Sequence, residues 1–332
     1  NTCSTWRAVS KPGRGTSIPM CPATSGTLPP YALSGSPAEV SLPRLSSALD
    51  ETGAALVRSL DWGVTDFEAF TQRLCRRFHN SGARGALREG DGFTTSTFSQ
   101  NFTLLSHSEG TFRPAIDATD PQPIAASAPD VGFLFCEVAP SVAGGETTLV
   151  DGIQLLAALD PTVRARFERE GIGYHMVWER ERWQNELGAE SRAQLEPLLQ
   201  QSPDTRFEFE GDTLRLFYRA PAITATRAGA PVFAPALLAH LSHVPPAIDP
   251  ARLIYSKATN RVCFGAGEDL PDSVVQHLIE IHDALTYLHR WHPGDLLILD
   301  NTRTLHGRDR TAVDCERKLK SRFGWLRDAL PA

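Results

Sequence analysis

The sequence reads Pro293-Gly-Asp-Leu-Leu-Ile-Leu-Asp-Asn-Thr-Arg-Thr-Leu-His-Gly-Arg308 close to its C-terminus. Residues 296–299 are all apolar, and an apolar run of this length suits a buried β-strand. A polar segment follows the run immediately and contains His306. An imidazole anchored by a rigid strand is well placed to bind a metal ion. This stretch therefore predicts a β-rich core and one protein ligand of a metal site.

A second segment reads Leu104-Leu-Ser-His-Ser-Glu-Gly-Thr-Phe-Arg-Pro114. In an extended backbone, side chains two residues apart project to the same side, so His107 and Glu109 can reach one ion. Two neutral imidazoles and one carboxylate on one face of an octahedral ion leave three positions open, which suits non-haem Fe(II) oxygen chemistry. Zinc prefers a tetrahedral site. Taken alone, a His-x-Glu pair is also compatible with a chance arrangement on the surface.

The chain carries short β-like runs separated by Gly, Pro and Asp from about residue 93 onward, which indicates a mainly β sandwich or barrel. We predict strands at residues 53–59, 93–97, 132–138, 147–150, 205–209, 213–218, 295–299 and 318–326. We predict helices at residues 41–52, 65–78, 152–159, 161–170, 180–199 and 271–289. Residues 1–37 are rich in Ser, Thr, Pro and Gly, so we expect an extended or partly disordered N-terminal arm. Residues 38–332 are then expected to form one domain with helical insertions.

Composition excludes several classes of function. The 33 Lys and Arg against 39 Asp and Glu give a formal net charge of -6, so no overall positive field attracts nucleic acid or anionic lipid. No apolar run approaches the ~20 residues that a membrane helix needs. The first residues lack the apolar region of a secretory signal, so the cytoplasm is the expected location. We expect reduced thiols at the six scattered cysteines, Cys3, Cys21, Cys75, Cys136, Cys263 and Cys315.

Four blocks of sequence occur in a fixed order. They are Gly53-Ala-Ala-Leu-Val-Arg-Ser-Leu-Asp-Trp62 with Asp66-Phe-Glu-Ala-Phe70; Ser106-His-Ser-Glu109; Phe133-Leu-Phe-Cys-Glu-Val-Ala-Pro140 running into Gly144-Gly-Glu-Thr-Thr-Leu-Val-Asp151; and the stretch 293–308. Together they resemble the taurine dioxygenase and clavaminate synthase group of 2-oxoglutarate oxygenases, especially its branch of syringomycin-type amino-acid hydroxylases. The resemblance covers residues 40–328 approximately.

That resemblance implies a double-stranded β-helix, the jelly-roll or cupin-like fold, mainly β with flanking helices. It implies Fe(II) and O2 as cofactors and 2-oxoglutarate as co-substrate, with His107, Glu109 and His306 as the catalytic metal ligands. Asp300 is expected to be a structural hydrogen-bond acceptor beside His306 rather than a ligand. The paired glycines Gly144 and Gly145 are expected to form a turn rather than a phosphate site.

In this family an arginine on a late strand binds the distal carboxylate of 2-oxoglutarate, and the bidentate, permanently charged guanidinium suits that task. Arg317 is our first choice, because an apolar residue follows it two positions later. Arg322 and Lys318 remain alternatives, since Ser321 stands where the commoner Arg-x-x-x-Arg pattern has its second arginine. Strand alternation would place Arg317, residue 319 and Ser321 on one face, so the register of this strand decides which basic side chain faces the co-substrate. Thr147 matches a position that hydrogen-bonds the same carboxylate in related enzymes.

The resemblance predicts hydroxylation of an unactivated C–H bond in an amino acid or a related carboxylate-bearing natural-product intermediate, with release of succinate and CO2. Desaturation, cyclisation or epoxidation by the same cofactor chemistry is the alternative. Halogenating relatives have Ala or Gly in place of Glu109, so this carboxylate argues against halogenation. A non-catalytic cupin-like binder and a zinc hydrolase are the competing classes. The expected partner is a small-molecule substrate, free or presented by a carrier protein; the oligomeric state is left open.

Two segments are candidates for substrate recognition. Residues 110–132 form a long connection that suits a lid or substrate loop. Residues 174–184 mix aromatic and charged side chains, and we favour a half-buried amphipathic helix over a recognition element there. Arg219 and Arg227 are weaker candidates for binding a substrate carboxylate.

Overall fold

The computed structural model describes residues 26–33, 40–79, 87–114, 128–252, 254–255, 260–312 and 315–327. Its strands are β1 (Tyr31–Ala32), β2 (Ala54–Val57), β3 (Cys75–Phe78), β4 (Leu87–Glu89), β5 (Thr94–Phe98), β6 (Leu104–His107), β7 (Val131–Val138), β8 (Thr147–Asp151), β9 (Ile172–Trp178), β10 (Thr205–Glu210), β11 (Thr213–Ala220), β12 (Thr224–Ala225), β13 (Pro231–Val232), β14 (Arg261–Phe264), β15 (Tyr287–His289), β16 (Leu296–Asp300), β17 (Thr304–Arg308) and β18 (Lys318–Leu326). Its helices are α1 (Leu42–Thr52), α2 (Val64–Leu74), α3 (Gly152–Ala158), α4 (Pro161–Glu170), α5 (Arg180–Leu187), α6 (Arg192–Gln200) and α7 (Asp272–Leu285).

Two sheets form the centre of the molecule. The major sheet has the strand order β1-β2-β16-β7-β18-β5-β4, with β3 paired to β18, and the minor sheet has the order β15-β8-β17-β6. A buried apolar cluster joins them: it combines Leu134, Leu297 and Leu319 of the major sheet with Leu149 of the minor sheet. These apolar side chains hold the two sheets face to face. This arrangement agrees with the predicted mainly β, double-stranded β-helix with flanking helices.

A third sheet, of order β10-β11-β9-β14, extends the structure beyond the two central sheets. Its side chains share one large buried cluster with residues of α4, α5 and α7, including Phe167, Trp183 and Leu278. The same cluster includes Leu105 of β6 and Leu305 of β17. The third sheet therefore packs behind the strands that carry the predicted metal ligands, and it fixes α5 against them.

The predicted N-terminal helix and strand are confirmed as α1 and β2. Ser41 caps α1, because its hydroxyl accepts a hydrogen bond from the Arg44 N–H at 3.3 Å. Gly53 ends the helix with a φ of 77°, a left-handed conformation that glycine adopts without strain. A turn made by this residue sends the chain directly into β2, beside β16.

Three predicted helices are too long. The helix predicted at 65–78 ends at Leu74, because residues 75–78 pair with β18 as β3. The helix predicted at 180–199 is two helices, since Gly188 is left-handed and Ser191 caps a new start. The helix predicted at 271–289 ends at Leu285, and residues 287–289 pair with β8. In the first and third cases strand pairing with a distant segment overrides the local helical pattern.

Part of the predicted N-terminal arm, residues 1–25 and 34–37, lies outside the described residues. Residues 31–32 are described and pair in parallel with β2. The described cysteines, Cys75, Cys136, Cys263 and Cys315, are free and buried. Cys3 and Cys21 fall outside the described ranges. Among the helices that are described, none has the length and apolar character needed to span a membrane.

A buried histidine predicts acid sensitivity of the fold. His282 on α7 is buried, and its Nδ1 donates to the Leu278 carbonyl at 2.6 Å. Burial lowers its pKa to about 4, against about 6.5 in an unfolded chain. Its contribution is therefore complete above pH 6.5 and is lost as the pH falls through 4, a change on the order of 3 kcal/mol.

We expect His282→Gln to reduce the loss of unfolding free energy between pH 7 and pH 4.5, measured by urea denaturation. Ser273→Ala on the same helix provides the control, because Ser273 is exposed and carries no ionisable group, so the wild-type pH profile should be unchanged. Parallel pH profiles for wild type and His282→Gln would contradict the prediction.

Candidate metal centre

The three predicted metal ligands meet at the end of the minor sheet. His107 is the last residue of β6, and its direct cross-strand partner on β17 is His306. The two imidazole centroids are 4.7 Å apart. Glu109 follows two residues after His107 and turns back towards the pair, so that one ligand atom from each of the three residues lies within 4.8 Å of the others.

Both imidazoles are in a form suited to metal binding. The Nδ1 atom of His107 lies 3.1 Å from the Leu105 carbonyl oxygen. A carbonyl only accepts, so Nδ1 carries the proton and the neutral ring keeps a lone pair on Nε2. That Nε2 lies 3.9 Å from Oε2 of Glu109. His306 is buried against Phe323, and burial followed by the neighbouring His107 holds its pKa well below the usual value.

Asn301 holds the backbone of Glu109, and the sequence analysis did not identify it. Its Oδ1 accepts from the Glu109 N–H at 2.8 Å, and its Nδ2 donates to the Glu109 carbonyl at 3.0 Å and to the Pro129 carbonyl at 2.8 Å. Asn301 is 1% exposed. Its neighbour Asp300, predicted to accept beside His306, instead accepts from the Thr302 N–H and hydroxyl. Asp300 is thus a structural acceptor, but its partner is Thr302, and the buried Asn301 amide is a separate group that orients Glu109.

Arg113 contacts the carboxylate of Glu109 from the other side. Its Nη2 lies 3.5 Å from Oε1 of Glu109 and 2.7 Å from Oε2 of Glu186 on α5. Arg182, one turn earlier on α5, also pairs with Glu186 at 3.1 Å. The network connects a predicted metal ligand to a helix on the far side of the cavity. The ion pair between Arg113 and Glu186 depends on tertiary contact between α5 and the turn after β6, and no local sequence pattern predicts it.

A cavity of about 500 Å³ opens between the two central sheets, beside the three predicted ligands. This volume is within the range of small-molecule sites, roughly 300–1,000 Å³. Arg317 and Thr147 both line it, as the co-substrate prediction requires. Arg317 is 3% exposed, and its Nε donates to the Gly145 carbonyl at 2.8 Å. Its Nη1 is buried and has no hydrogen-bond partner in the described part of the chain.

Burial, and then the charge of Arg308, lowers the pKa of Arg317 to about 9, so the guanidinium is still a cation at neutral pH. Gly145 adopts a φ of 78°, and a Cβ there would lie 3.0 Å from Cδ of Arg317. Gly144 and Gly145 lie in irregular backbone between β7 and β8 rather than in an assigned turn, and the missing Cβ of Gly145 gives room for the arginine beside its carbonyl.

Arg322 does not reach the cavity. Leu319, Ser321 and Phe323 line the cavity from β18, so the intervening Arg322 points to the opposite face of the strand. There its Nη2 donates to Asp91 at 2.8 Å and its Nη1 to the Thr94 hydroxyl at 3.1 Å. The structure therefore places Arg322 away from the predicted co-substrate site. Lys318, the other alternative, pairs with Glu137 at 2.9 Å and does not line the cavity.

Arg308 is a cavity residue that the sequence analysis did not single out. It lies two residues after His306 on β17, on the same face, and pairs in register with Thr147 of β8. On the β6 side a bulge shifts the register between His306 and Arg308. Burial lowers the pKa of Arg308 to about 10. Alternate residues of a strand share a face, so Arg308 could have been identified from its position two residues after the predicted ligand His306.

The candidate substrate segments have mixed outcomes. Residues 115–127 of the predicted lid lie outside the described residues, while Phe112 and Arg113 at its start line the cavity. Residues 174–184 are not one helix, because residues 174–178 belong to β9 and α5 starts at Arg180. Arg219 pairs with Asp204, and Arg227 donates to Ser46 at 2.9 Å; neither lines the cavity.

Comparisons with known proteins agree with this architecture. A family model described as "Taurine catabolism dioxygenase TauD, TfdA family" matches residues 30–322. The dapdiamide synthesis protein DdaC of Enterobacter agglomerans is 25% identical over 298 residues, which covers 80% of each chain. The crystal structure of PvcB from Pseudomonas aeruginosa is 16% identical, with a TM-score of 0.54 over 92% of this chain and 90% of that one. A second structure of PvcB, described as an Fe, alpha-ketoglutarate dependent oxygenase from an isonitrile synthetic pathway, has a TM-score of 0.51 at 15% identity and covers 91% of this chain and 85% of that one.

Loss of the Asn301 amide should weaken metal binding. We expect Asn301→Ala to raise the Kd for Mn(II) about 10- to 100-fold, because Glu109 loses both backbone hydrogen bonds that orient it. Anaerobic calorimetric titration of the metal-free protein measures this constant. Thr302→Ala, which removes a neighbouring side chain outside the cavity, should leave the Kd unchanged. Equal Kd values for Asn301→Ala and wild type would contradict the orienting role.

Proposed function

Because the chain belongs to the taurine catabolism dioxygenase TauD/TfdA family, we propose that it hydroxylates an unactivated C–H bond of an amino acid or a related carboxylate-bearing natural-product intermediate. The chain is a 2-oxoglutarate-dependent non-haem iron dioxygenase. The observation that carries the proposal is the meeting of His107, Glu109 and His306 beside a cavity that also contains Arg317, whose buried Nη1 has no hydrogen-bond partner among the described residues. The likeness to a dapdiamide synthesis protein supports a role in natural-product chemistry.

The donor set fits Fe(II). Two neutral imidazoles and one carboxylate supply three ligands on one side and leave the other positions open. With O2 as the oxidant, iron bound there would couple the oxidative decarboxylation of 2-oxoglutarate, which yields succinate and CO2, to hydroxylation of the substrate, one oxygen atom entering succinate and the other the hydroxylated product. His107, Glu109 and His306 would hold the ion, and Asn301 would keep Glu109 aimed at it. Glu109 fills the place that a halide would need, which supports oxygen insertion rather than halogenation.

Arg317 and Thr147 would bind the distal carboxylate of 2-oxoglutarate. The unpartnered Nη1 of Arg317 is a buried donor that a carboxylate would satisfy. The Thr147 oxygen already accepts from Nε1 of Trp291 at 3.1 Å, so its own hydroxyl proton remains to be donated. Apolar side chains at Leu134 and Leu319 line the cavity nearby and would exclude water from the co-substrate.

The charge of the cavity supports an anionic substrate. Its charged side chains are four arginines and two glutamates: Arg113, Arg182, Arg308, Arg317, Glu109 and Glu186. They leave an excess of two positive charges. Fe(II) and the 2-oxoglutarate dianion cancel each other, so the excess persists in the loaded site. A substrate that carries a carboxylate, whether free or attached to a carrier protein, would offset it.

Anaerobic titration of Fe(II) and 2-oxoglutarate tests the proposal. We expect wild type to develop the weak visible charge-transfer band of the chelate, and His306→Ala to show none because one ligand is missing. Arg317→Met should raise the Kd of 2-oxoglutarate at least tenfold, since the distal carboxylate loses its charged partner.

Arg322→Met is the matched control, because it removes a buried arginine that lies in β18, five residues after Arg317, and does not line the cavity. Its Kd for 2-oxoglutarate should stay within about twofold of wild type. The absence of a band in wild type would refute the oxygenase assignment of this site. An unchanged Kd in Arg317→Met would refute only the role of that arginine. Screening amino acids and related acids by succinate release then addresses the substrate.

A further inference from the structure

Arg308 is a buried cation for which the described residues supply no counter-ion. It is 8% exposed and lines the cavity. Within the described ranges no carboxylate lies at ion-pair distance from it, and its Nε is buried without a hydrogen-bond partner. A buried charge is costly unless it is paired. Among the described residues this guanidinium therefore has no neutralising carboxylate, and its burial beside the candidate metal centre costs stability.

The guanidinium of Arg308 is nevertheless held in place. Its Nη2 donates to Oε1 of Gln100 at 2.7 Å, and its Cζ lies 5.2 Å from the centroid of the Phe102 ring. Phe102 in turn stacks on Tyr255 at 5.0 Å. An amide and an aromatic ring orient the cation without neutralising it. Such a preorganised cation is suited to bind an anionic ligand.

The guanidinium of Arg317 is oriented separately from that of Arg308. Arg317 donates to the backbone at Gly145, whereas Arg308 donates to Gln100, so different segments orient the two guanidinium groups. One distal carboxylate of 2-oxoglutarate pairs with one arginine, which leaves a second unpaired cation in the loaded site. Ser321 lines the cavity from β18 and adds no charge there.

We propose that Arg308 is the anchor for a carboxylate of the primary substrate, separate from the co-substrate site at Arg317. The inference rests on the proposed function and deepens it. Arg308 stands two residues from His306 on one strand face, about 7 Å along the backbone. A substrate held by this arginine therefore has its adjoining carbons beside the metal centre. Phe102 and Tyr255 line the cavity next to the anchor, which suits a carboxylate joined to an apolar, flat group.

The test uses two probes of the same shape, 3-phenylpropionate and its neutral amide. Each is titrated calorimetrically and without oxygen into Mn(II)-loaded protein that is saturated with 2-oxoglutarate, so that Arg317 is already occupied. We expect wild type to bind the acid at least tenfold more tightly than the amide. Arg308→Gln should weaken the acid to the level of the amide and change the Kd of 2-oxoglutarate by less than about threefold.

Two further variants keep the test decisive if Arg308→Gln folds poorly. Gln100→Leu removes the side chain that orients Arg308 and should weaken the acid about three- to tenfold without affecting the amide. Arg322→Gln removes a buried arginine outside the cavity and should leave both probes at their wild-type affinities.

Equal affinity of the loaded wild type for acid and amide, or no binding of the acid, would overturn the inference. So would a loss of 2-oxoglutarate affinity in Arg308→Gln as large as in Arg317→Met, because Arg308 would then belong to the co-substrate site. These outcomes are separate from failure of the proposed function, in which wild type would not bind 2-oxoglutarate through its metal at all.

Discussion

The pairing of His306 with His107 across β17 and β6 is the contact on which the site depends. In a strand pair a shift of one residue turns every side chain to the other face, so this register decides whether two imidazoles face one another or point apart. The register is held by the apolar neighbours of the two histidines, since Leu305 and Leu105 point away from the candidate metal centre into the large core cluster. Apolar packing on one face of β17 and β6 thus fixes the positions of the two imidazoles on the other face.

The sequence alone predicted those parts of the site that depend on local spacing. His107 and Glu109 lie in one short segment, and strand alternation correctly placed Arg317 and Ser321 on one face. Contacts made by tertiary packing could not be predicted in this way. Asn301 reaches the backbone of Glu109, and Arg113 reaches Glu186, across gaps in sequence that no periodicity describes.

The same limit explains the errors in the predicted elements. Residues 75–78 continue a helical pattern, but β18 offers unpaired backbone groups beside them, and strand pairing satisfies those groups at the expense of the last helical turn. Strands that pair locally or carry long apolar runs, such as β7 and β16, were predicted within one residue of each end. Where the pairing partner of a segment is distant along the chain, the sequence reveals the secondary-structure propensity of the segment but not the strand with which it pairs.

The bulge between His306 and Arg308 affects only one of the two strands that pair with β17. It shifts the register with β6, whereas the pairing with β8 stays regular. His306 and Arg308 are each paired on both sides, with His107 and Leu104 of β6 and with Leu149 and Thr147 of β8. The regular ladder with β8 therefore keeps His306 and Arg308 on one face of β17, although their partners on β6 are out of step.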